Sequence, residues 1–244
     1  MKKIFIDAGH NNSGWNTGAA ANGLREQDVT FDVAKRLSQI LDEAGFEVML
    51  SRPTADTNLG VDNASAINAR WQMSNNWGAD FFISIHVNAG GGTGAETLYF
   101  REDALEFAKT MQDVYSAEMG LHNRRVWLRS DVGVLRWTNC PSVLVETAFI
   151  DGPENPDVYA LRSRRNEMAA AIAKGLFAYL NFSPNTPKLL VSDRFNSVAE
   201  LPSWARPTIE KMMAKGFLQG DGAGLDLSQD MLRIFVIHDR AGVF

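Results

Sequence analysis

The chain has 244 residues, of which 45% are hydrophobic and 22% are charged; this is typical of a soluble globular protein and allows one large domain with a small appendage. A formal net charge of −5 argues against general nucleic-acid binding, because proteins of that class are usually basic. The single cysteine, Cys140, excludes an intramolecular disulfide framework, and no apolar run approaches the roughly 18 residues of a membrane span, so we expect no membrane insertion.

Strands alternate with helices along most of the chain. Short β-branched and aromatic runs between turn residues predict strands, whereas apolar residues at helical spacing followed by glycine predict helices. The predicted strands are residues 3–7, 46–51, 81–89, 96–101, 125–128 and 142–149. The predicted helices are residues 28–44, 64–77, 104–119 and 166–180. This order predicts an α/β fold: a mostly parallel, twisted sheet with helices on both faces.

A stretch rich in Asn, Ser and Pro, residues 181–187, predicts a linker. Beyond it we predict a helix over residues 202–215, a turn over residues 221–226, and a last helix capped by Ser228. The sequence therefore predicts a main domain of residues 1–181 and a small helical C-terminal module of residues 182–244.

Two of the predicted strands lead into histidines, His10 and His86. Because the carboxyl ends of parallel strands gather the chemistry of open α/β sheets, the two imidazoles predict a metal site, although either one alone is also typical of a satisfied polar residue. Catalytic zinc usually takes three histidine or carboxylate ligands and leaves one position open. Glu26, at the start of the first helix, is the candidate third ligand; the alternative is a charge that favours the helix N-terminus.

Glu146 interrupts the apolar strand of residues 142–149. A carboxylate there is costly unless it is paired or functional. One interpretation is a general base beside a metal-activated water; the other is a buried ion pair with Arg125, Arg129 or Arg136. The segment Gly90–Gly94 lacks the Lys-Ser/Thr of a phosphate-binding loop, so we interpret it as a flexible rim of the cleft.

Four segments together resemble a known family. They are Ile6-Asp7-Ala8-Gly9-His10, Leu24-Arg25-Glu26, Ser84-Ile85-His86-Val87-Asn88 and Pro141-Ser142-Val143-Leu144-Val145-Glu146-Thr147. In this order and spacing, across about residues 1–181, they resemble the zinc-dependent N-acetylmuramoyl-L-alanine amidases of bacterial autolysins and phage endolysins.

The resemblance implies that residues 1–181 are the catalytic domain of a peptidoglycan hydrolase. It implies one Zn²⁺ per chain bound by His10, Glu26 and His86, with Glu146 as the catalytic residue. The bond cleaved would join N-acetylmuramic acid to L-alanine of the stem peptide. Asn88 could donate to the substrate or hold its loop, and Arg52 could bind a stem-peptide carboxylate or form a surface ion pair.

The C-terminal module resembles one degenerate S-layer-homology-type repeat, which implies binding to cell-wall polysaccharide; a homodimer contact is the alternative. Lys2 and Lys3 precede only Ile4–Ile6 before Asp7, which is too short for a signal peptide. We therefore expect synthesis in the cytoplasm and action at the bacterial wall. The rival functions are a zinc peptidase that cuts within the stem peptide and a non-catalytic wall-binding protein.

Overall fold

A six-stranded sheet forms the centre of the larger part of the chain. The strands of the chain are β1 (Lys3–Ala8), β2 (Ala20–Ala21), β3 (Leu24–Arg25), β4 (Glu47–Leu50), β5 (Phe81–Asn88), β6 (Ala95–Tyr99), β7 (Asn123–Leu128) and β8 (Ser142–Phe149). The sheet has the order β4–β1–β5–β8–β6–β7, and β2 and β3 form a separate short hairpin. Strands β4, β1, β5 and β8 run parallel, whereas β6 pairs antiparallel with β8 and carries β7 parallel to itself. The predicted mostly parallel sheet is therefore confirmed.

These strands come from a computed structural model of the chain, which describes residues 1–152, 156–184, 195, 197–219, 224–225, 227 and 229–243. The chain divides into two compact units, Met1–Pro187 and Lys188–Phe244. The division lies at the end of the predicted linker, residues 181–187. The functions assigned to the two parts stay predictions.

Helices cover both faces of the sheet, as predicted. Those of the larger unit are α1 (Glu26–Glu43), α2 (Asn63–Trp77), α3 (Leu105–Met119), α4 (Gly133–Arg136), α5 (Pro156–Ser163) and α6 (Arg165–Tyr179). One face carries the main core, to which α1, α3 and α6 contribute buried side chains. The other face packs against residues of α2 and α4, including Ile67 and Leu135. The alternation of side chains along each strand therefore places neighbouring residues in different cores.

The helix ends follow from local sequence signals. In α1, Val29, Val33, Leu37 and Leu41 recur every four residues and are fully or almost fully buried, so they form one apolar face. Helix α2 begins with a capping box in which Asp62 accepts from the Ser65 amide at 2.7 Å. It ends at Gly78, whose φ of 70° is the left-handed conformation that glycine adopts without strain.

Three elements of the larger unit differ from the sequence-based prediction. The hairpin of β2 and β3 lies between the predicted first strand, residues 3–7, and the predicted first helix, residues 28–44; α4 and α5 also lie outside the predicted elements. Helix α4 spans four residues and α5 eight, too short for an apolar period to stand out from the sequence. The bounds of the long helices lie within two residues of the predicted ones.

The smaller unit has its own apolar cluster. Among its described residues the α-helices are α7 (Arg206–Ala214) and α8 (Gln229–Arg240), and Phe195 bridges to Leu227. Helix α7 begins at Arg206, so the predicted start at residue 202 is wrong. Ile209 and Met212 are buried in the cluster, whereas Met213 is 38% exposed. The predicted Ser228 cap and most of the turn at residues 221–226 lie outside the described residues. Across the described part of the whole chain, no helix combines the length and apolarity needed to cross a bilayer.

Candidate metal centre

Three side chains from separate segments meet at the carboxyl ends of β1 and β5. His10 follows β1, Glu26 is the first residue of α1, and His86 lies on β5. Oε1 of Glu26 lies 3.1 Å from Nε2 of His10 and 3.1 Å from Nδ1 of His86. The ligand atoms of the three residues all lie within 4.8 Å of one another. The structure therefore brings together the three residues that the sequence singled out.

Glu26 is held in place by the backbone as well as by the histidines. Its Oε1 accepts from the Val87 amide at 2.9 Å, and its Oε2 accepts from the Ala19 amide at 2.9 Å. Burial alone would raise the pKa of Glu26, but hydrogen bonds with His10 and His86 outweigh burial and leave the pKa lowered. Glu26 is therefore a carboxylate at neutral pH, which is the form that binds a metal ion.

The orientation of His10 is set by its second ring nitrogen. Nδ1 lies 3.3 Å from the carbonyl oxygen of Asn16, so the tautomer that donates there leaves Nε2 free to bind a cation. The backbone of His10 has φ of 67°, a left-handed conformation that costs a non-glycine residue about 1–2 kcal/mol. The surrounding structure must therefore stabilise this turn.

Two glycines allow the three ligands to approach one another. A Cβ atom on Gly9 would lie 2.6 Å from Nε2 of His86, and one on Gly18 would lie 2.6 Å from Oε2 of Glu26 and 2.8 Å from Cδ2 of His10. Neither position has room for a side chain. Gly9 belongs to the motif around His10, whereas nothing in the sequence distinguishes Gly18 from the other glycines of its loop.

The donor set fits a zinc ion. Two imidazole nitrogens and one carboxylate oxygen are the ligands that catalytic zinc takes, leaving one coordination position open. Two ligand atoms bound at about 2.0 Å to a tetrahedral ion lie about 3.3 Å apart. The Glu26 oxygen lies 3.1 Å from each of the two imidazole nitrogens, close to that separation. The residues present could therefore hold the ion with little movement.

Glu146 lies beside this cluster. It pairs in register with His86 on one side and with Glu96 on the other, so the three side chains share one face of adjacent strands. Its Oε2 is buried and has no hydrogen-bond partner among the described residues. Burial, reinforced by the charges of Glu26 and Glu96, raises the pKa of Glu146 to about 8. The carboxyl group therefore faces the site with one oxygen uncommitted.

The alternative interpretation of Glu146, an ion pair with a nearby arginine, is not found among the described residues. Arg129 pairs instead with Asp131 at 2.8 Å, and it lowers the pKa of Glu146 only through its more distant charge. Arg136 lies over the ring of Trp137, with 5.2 Å between guanidinium carbon and ring centroid. The Glu146 carboxyl is therefore not neutralised by a direct contact.

Glu96 is a polar residue of the site that sequence reasoning missed. It accepts from Nδ2 of Asn88 at 2.9 Å and pairs with Nε of Arg124 at 2.9 Å. A charged residue inside a predicted strand is the sequence feature that points to Glu96. Its position opposite Glu146, however, depends on the antiparallel pairing of β6 with β8. Sequence periodicity alone does not give that pairing.

The two candidate substrate residues are engaged within the protein. Asn88 donates to Glu96, and its Oδ1 accepts from the Ala89 amide at 2.9 Å. Arg52 is 1% exposed and donates to the carbonyl oxygens of Gln27 at 2.9 Å and Ala55 at 2.8 Å. The expectation of a surface ion pair for Arg52 is therefore wrong, because its guanidinium is buried against backbone. Contacts of either residue with a substrate stay predictions.

The glycine-rich rim after β5 is anchored by two carboxylates. Asp151 accepts from the amides of Gly90 at 2.6 Å and Gly91 at 2.9 Å. Asp157, fully buried on α5, accepts from the Gly94 amide at 2.7 Å. These contacts tie the rim to the segments that follow β8. Our interpretation of the rim as flexible did not anticipate them.

Comparisons with known proteins agree with this arrangement. A family model described as N-acetylmuramoyl-L-alanine amidase matches residues 4–178. The N-acetylmuramoyl-L-alanine amidase CwlM of Bacillus licheniformis is 34% identical over 194 residues, covering 78% of this chain and 73% of that protein. The endolysin of Bacillus phage SPP1 is 31% identical over 191 residues, covering 74% of this chain and 66% of that protein.

A solved structure shows the same likeness. The catalytic domain of CwlV, an N-acetylmuramoyl-L-alanine amidase from Bacillus (Paenibacillus) polymyxa var. colistinus, matches with a TM-score of 0.67 and 29% sequence identity. The match covers 75% of this chain and 100% of that chain. The fold of the larger unit is thus that of an amidase catalytic domain.

Proposed function

The chain belongs to the N-acetylmuramoyl-L-alanine amidase family, and from this premise we propose that it binds one zinc ion through His10, Glu26 and His86, with Glu146 as its catalytic residue. It is a peptidoglycan amidase, which hydrolyses the bond between N-acetylmuramic acid and L-alanine of the stem peptide. We assign its action to the bacterial cell wall, as an endolysin or an autolysin.

One observation supports this assignment above the others: the unpartnered oxygen of Glu146 lies beside a preformed set of two imidazoles and one carboxylate. Zinc in such a site supplies a water of lowered pKa and polarises the amide carbonyl. Glu146 accepts the proton of the attacking water and passes it to the leaving nitrogen of L-alanine. An oxygen that has no hydrogen-bond partner among the described residues suits a group that must exchange a proton in both directions.

The test is Glu146→Gln, which keeps the shape of the side chain and removes its basicity. Purified cell walls are digested, the fall in turbidity is followed, and the released peptides are identified by mass spectrometry. We expect wild type to release whole stem peptides with an L-alanine amino terminus. The variant should bind walls normally and lose about 10²- to 10⁴-fold in rate. Glu43→Gln, at the exposed end of α1, is the matched control and should keep full activity.

The same experiment separates the rival functions. A zinc peptidase that cuts within the stem peptide would release shortened peptides that do not begin with L-alanine. A non-catalytic wall-binding protein would bind walls without releasing any peptide, from wild type or variant. Lysis by Glu146→Gln at the wild-type rate would show that Glu146 is not the base.

For the smaller unit we retain both sequence-based proposals, binding to wall polysaccharide and homodimer formation. Helix α8 leaves Ile234 51% and Ile237 63% exposed, an apolar stripe that would suit either partner. Sedimentation of the full chain at several concentrations tests the dimer, and pelleting with purified wall polysaccharide tests the other. Ile237→Glu should weaken whichever association occurs.

A further inference from the structure

A buried arginine on α2 holds the segment that carries His10. Arg70 is 2% exposed, and its Nη1 donates to Oδ1 of Asp7 at 2.5 Å and to the carbonyl oxygen of Ala8 at 2.6 Å. Its Nη2 donates to the carbonyl oxygen of His10 at 2.6 Å and to Oδ1 of Asn11 at 3.2 Å. One guanidinium thus binds two backbone carbonyls and two side chains of a single five-residue segment.

The ion pair between Arg70 and Asp7 is also held by the neighbouring strand β5. Asp7 is fully buried on β1, and its Oδ2 accepts from Oγ of Ser84 on β5 at 2.7 Å. Buried charge pairs contribute little net stability, and apolar side chains of similar volume would often serve the core as well. The pair therefore matters more for the geometry of this segment than for the stability of the fold.

The geometry that the pair fixes is that of the turn at His10. The carbonyl groups of Ala8 and His10 flank the point where β1 ends, and His10 itself adopts φ of 67°. Because the two nitrogens of one planar guanidinium bind both carbonyls, their separation and direction are fixed together. The left-handed turn then aims Nε2 of His10 at Glu26.

The loop before α2 supports the same segment from the side. Nδ2 of Asn11 donates to the Leu59 carbonyl at 2.8 Å, and Oδ1 of Asn11 accepts from the Leu59 amide at 3.1 Å. The Ser13 amide donates to Oδ1 of Asn58 at 3.0 Å. The segment after β1 is therefore held on one side by α2 and on another by the loop that leads into it.

We propose that Arg70 is a positioning residue for the metal centre: its guanidinium fixes the backbone turn of His10 so that this ligand is preorganised for the cation. The proposal rests on the proposed function, since it takes the His10–Glu26–His86 cluster to be a zinc site. Arg70 lies behind the ligand and acts through it.

The test is Arg70→Lys, which keeps the buried positive charge near Asp7 but cannot bind two carbonyls as a planar fork. The zinc dissociation constant of the full chain is measured by competition with a chromophoric chelator, and the melting temperature is measured on the metal-free protein. Loss of a residue that orients a metal ligand typically weakens metal binding about 10- to 100-fold. We expect that range for Arg70→Lys, with a KM for cell walls close to wild type when zinc is saturating.

Arg164→Lys is the matched control. Arg164 also donates to a backbone carbonyl, that of Met119 at 2.8 Å, and pairs with Glu167, but it contacts none of the ligands. It should lower the melting temperature without changing the zinc dissociation constant. If Arg70→Lys is poorly folded, the double variant Asp7→Asn with Arg70→Met removes both buried charges together, and the same loss of zinc affinity is expected from it.

The outcomes separate the two proposals. If wild type binds zinc and Arg70→Lys binds it within twofold of wild type, the positioning role is refuted, whatever happens to the melting temperature, and the proposed function stands. If wild type binds no zinc at all, the metal site itself is refuted. Weakened zinc binding in Arg70→Lys with normal binding in Arg164→Lys supports the positioning role.

Discussion

The raised pKa of Glu146 predicts that Glu146→Gln stabilises the metal-free protein at alkaline pH. The pKa is about 8 in the folded chain, against 4.5 for an unperturbed glutamate. Below pH 4.5 the group is protonated in both the folded and the unfolded state and has no effect. Between pH 4.5 and about pH 8 the unfolded chain releases a proton that the folded chain retains. The free energy of unfolding therefore falls as the pH rises towards 8.

The magnitude follows from the two pKa values. At about 1.4 kcal/mol per pKa unit, the interval from 4.5 to about 8 sets an upper limit near 5 kcal/mol. Glu146 is only partly buried, and water that reaches it reduces this penalty, so we expect roughly 2–3 kcal/mol. For a unit of this size, that corresponds to a rise of about 4–12 °C in melting temperature.

The assay is calorimetry of wild type and Glu146→Gln in the presence of a chelator at pH 4.5 and pH 8.5. The variant should melt at the wild-type temperature at pH 4.5 and well above it at pH 8.5. Glu43→Gln, at an exposed position, should show no such difference. The reasoning is refuted if Glu146→Gln is no more stable than wild type at pH 8.5, or if its advantage is the same at both pH values.

Three further predictions concern the metal centre. Gly18→Ala should weaken zinc binding by at least tenfold in chelator competition, because its Cβ would lie 2.6 Å from Oε2 of Glu26; unchanged affinity would mean that the loop moves freely. Prolonged dialysis against a chelator should abolish wall lysis, and added zinc should restore it; lysis that survives dialysis contradicts metal dependence. Glu26→Gln should contain well under one zinc ion per chain by metal analysis at neutral pH, because the amide cannot supply a charged ligand. One zinc ion per chain in this variant would show that the third ligand is another residue.

The sequence predicts the parts of the site that depend on parallel strands. The apolar runs of β1, β5 and β8 predict neighbouring buried strands, and His10, His86 and Glu146 lie at or near the ends where such strands gather ligands. The convergence of these side chains can therefore be predicted from the strands alone, without side-chain geometry. Its place at a helix start and the family resemblance together predict Glu26 as the third ligand, since spacing alone does not separate it from Asp28.

The residues that the sequence did not reveal act through contacts between distant segments. Arg70 lies on the covered face of an ordinary helix, and its partners in the segment from Asp7 to Asn11 are 59 to 63 residues away. Glu96 faces Glu146 only because β6 runs antiparallel to β8, which strand patterns do not specify. Gly18 matters because its backbone lies close to the side chains of Glu26 and His10. Periodicity and propensity describe local structure, so none of these contacts could be predicted from them.

The surroundings of Glu26 and Glu146 suit the two carboxyl groups to different roles. Glu26 receives hydrogen bonds from two backbone amides and faces both imidazoles, and its pKa is lowered, so it stays ionised and can hold a cation. Glu146 has a buried oxygen without a hydrogen-bond partner in the described part of the chain, and its pKa is raised to about 8. Neighbouring acids whose surroundings separate their pKa values in this way usually divide into a permanently charged group and a proton carrier. A positive charge bound at Glu26 would lower the pKa of Glu146 and favour the carboxylate that a general base requires. Among the described residues, the donors around Glu26 and the unpartnered oxygen of Glu146 thus support the proposal that one carboxyl holds the metal and the other carries the proton.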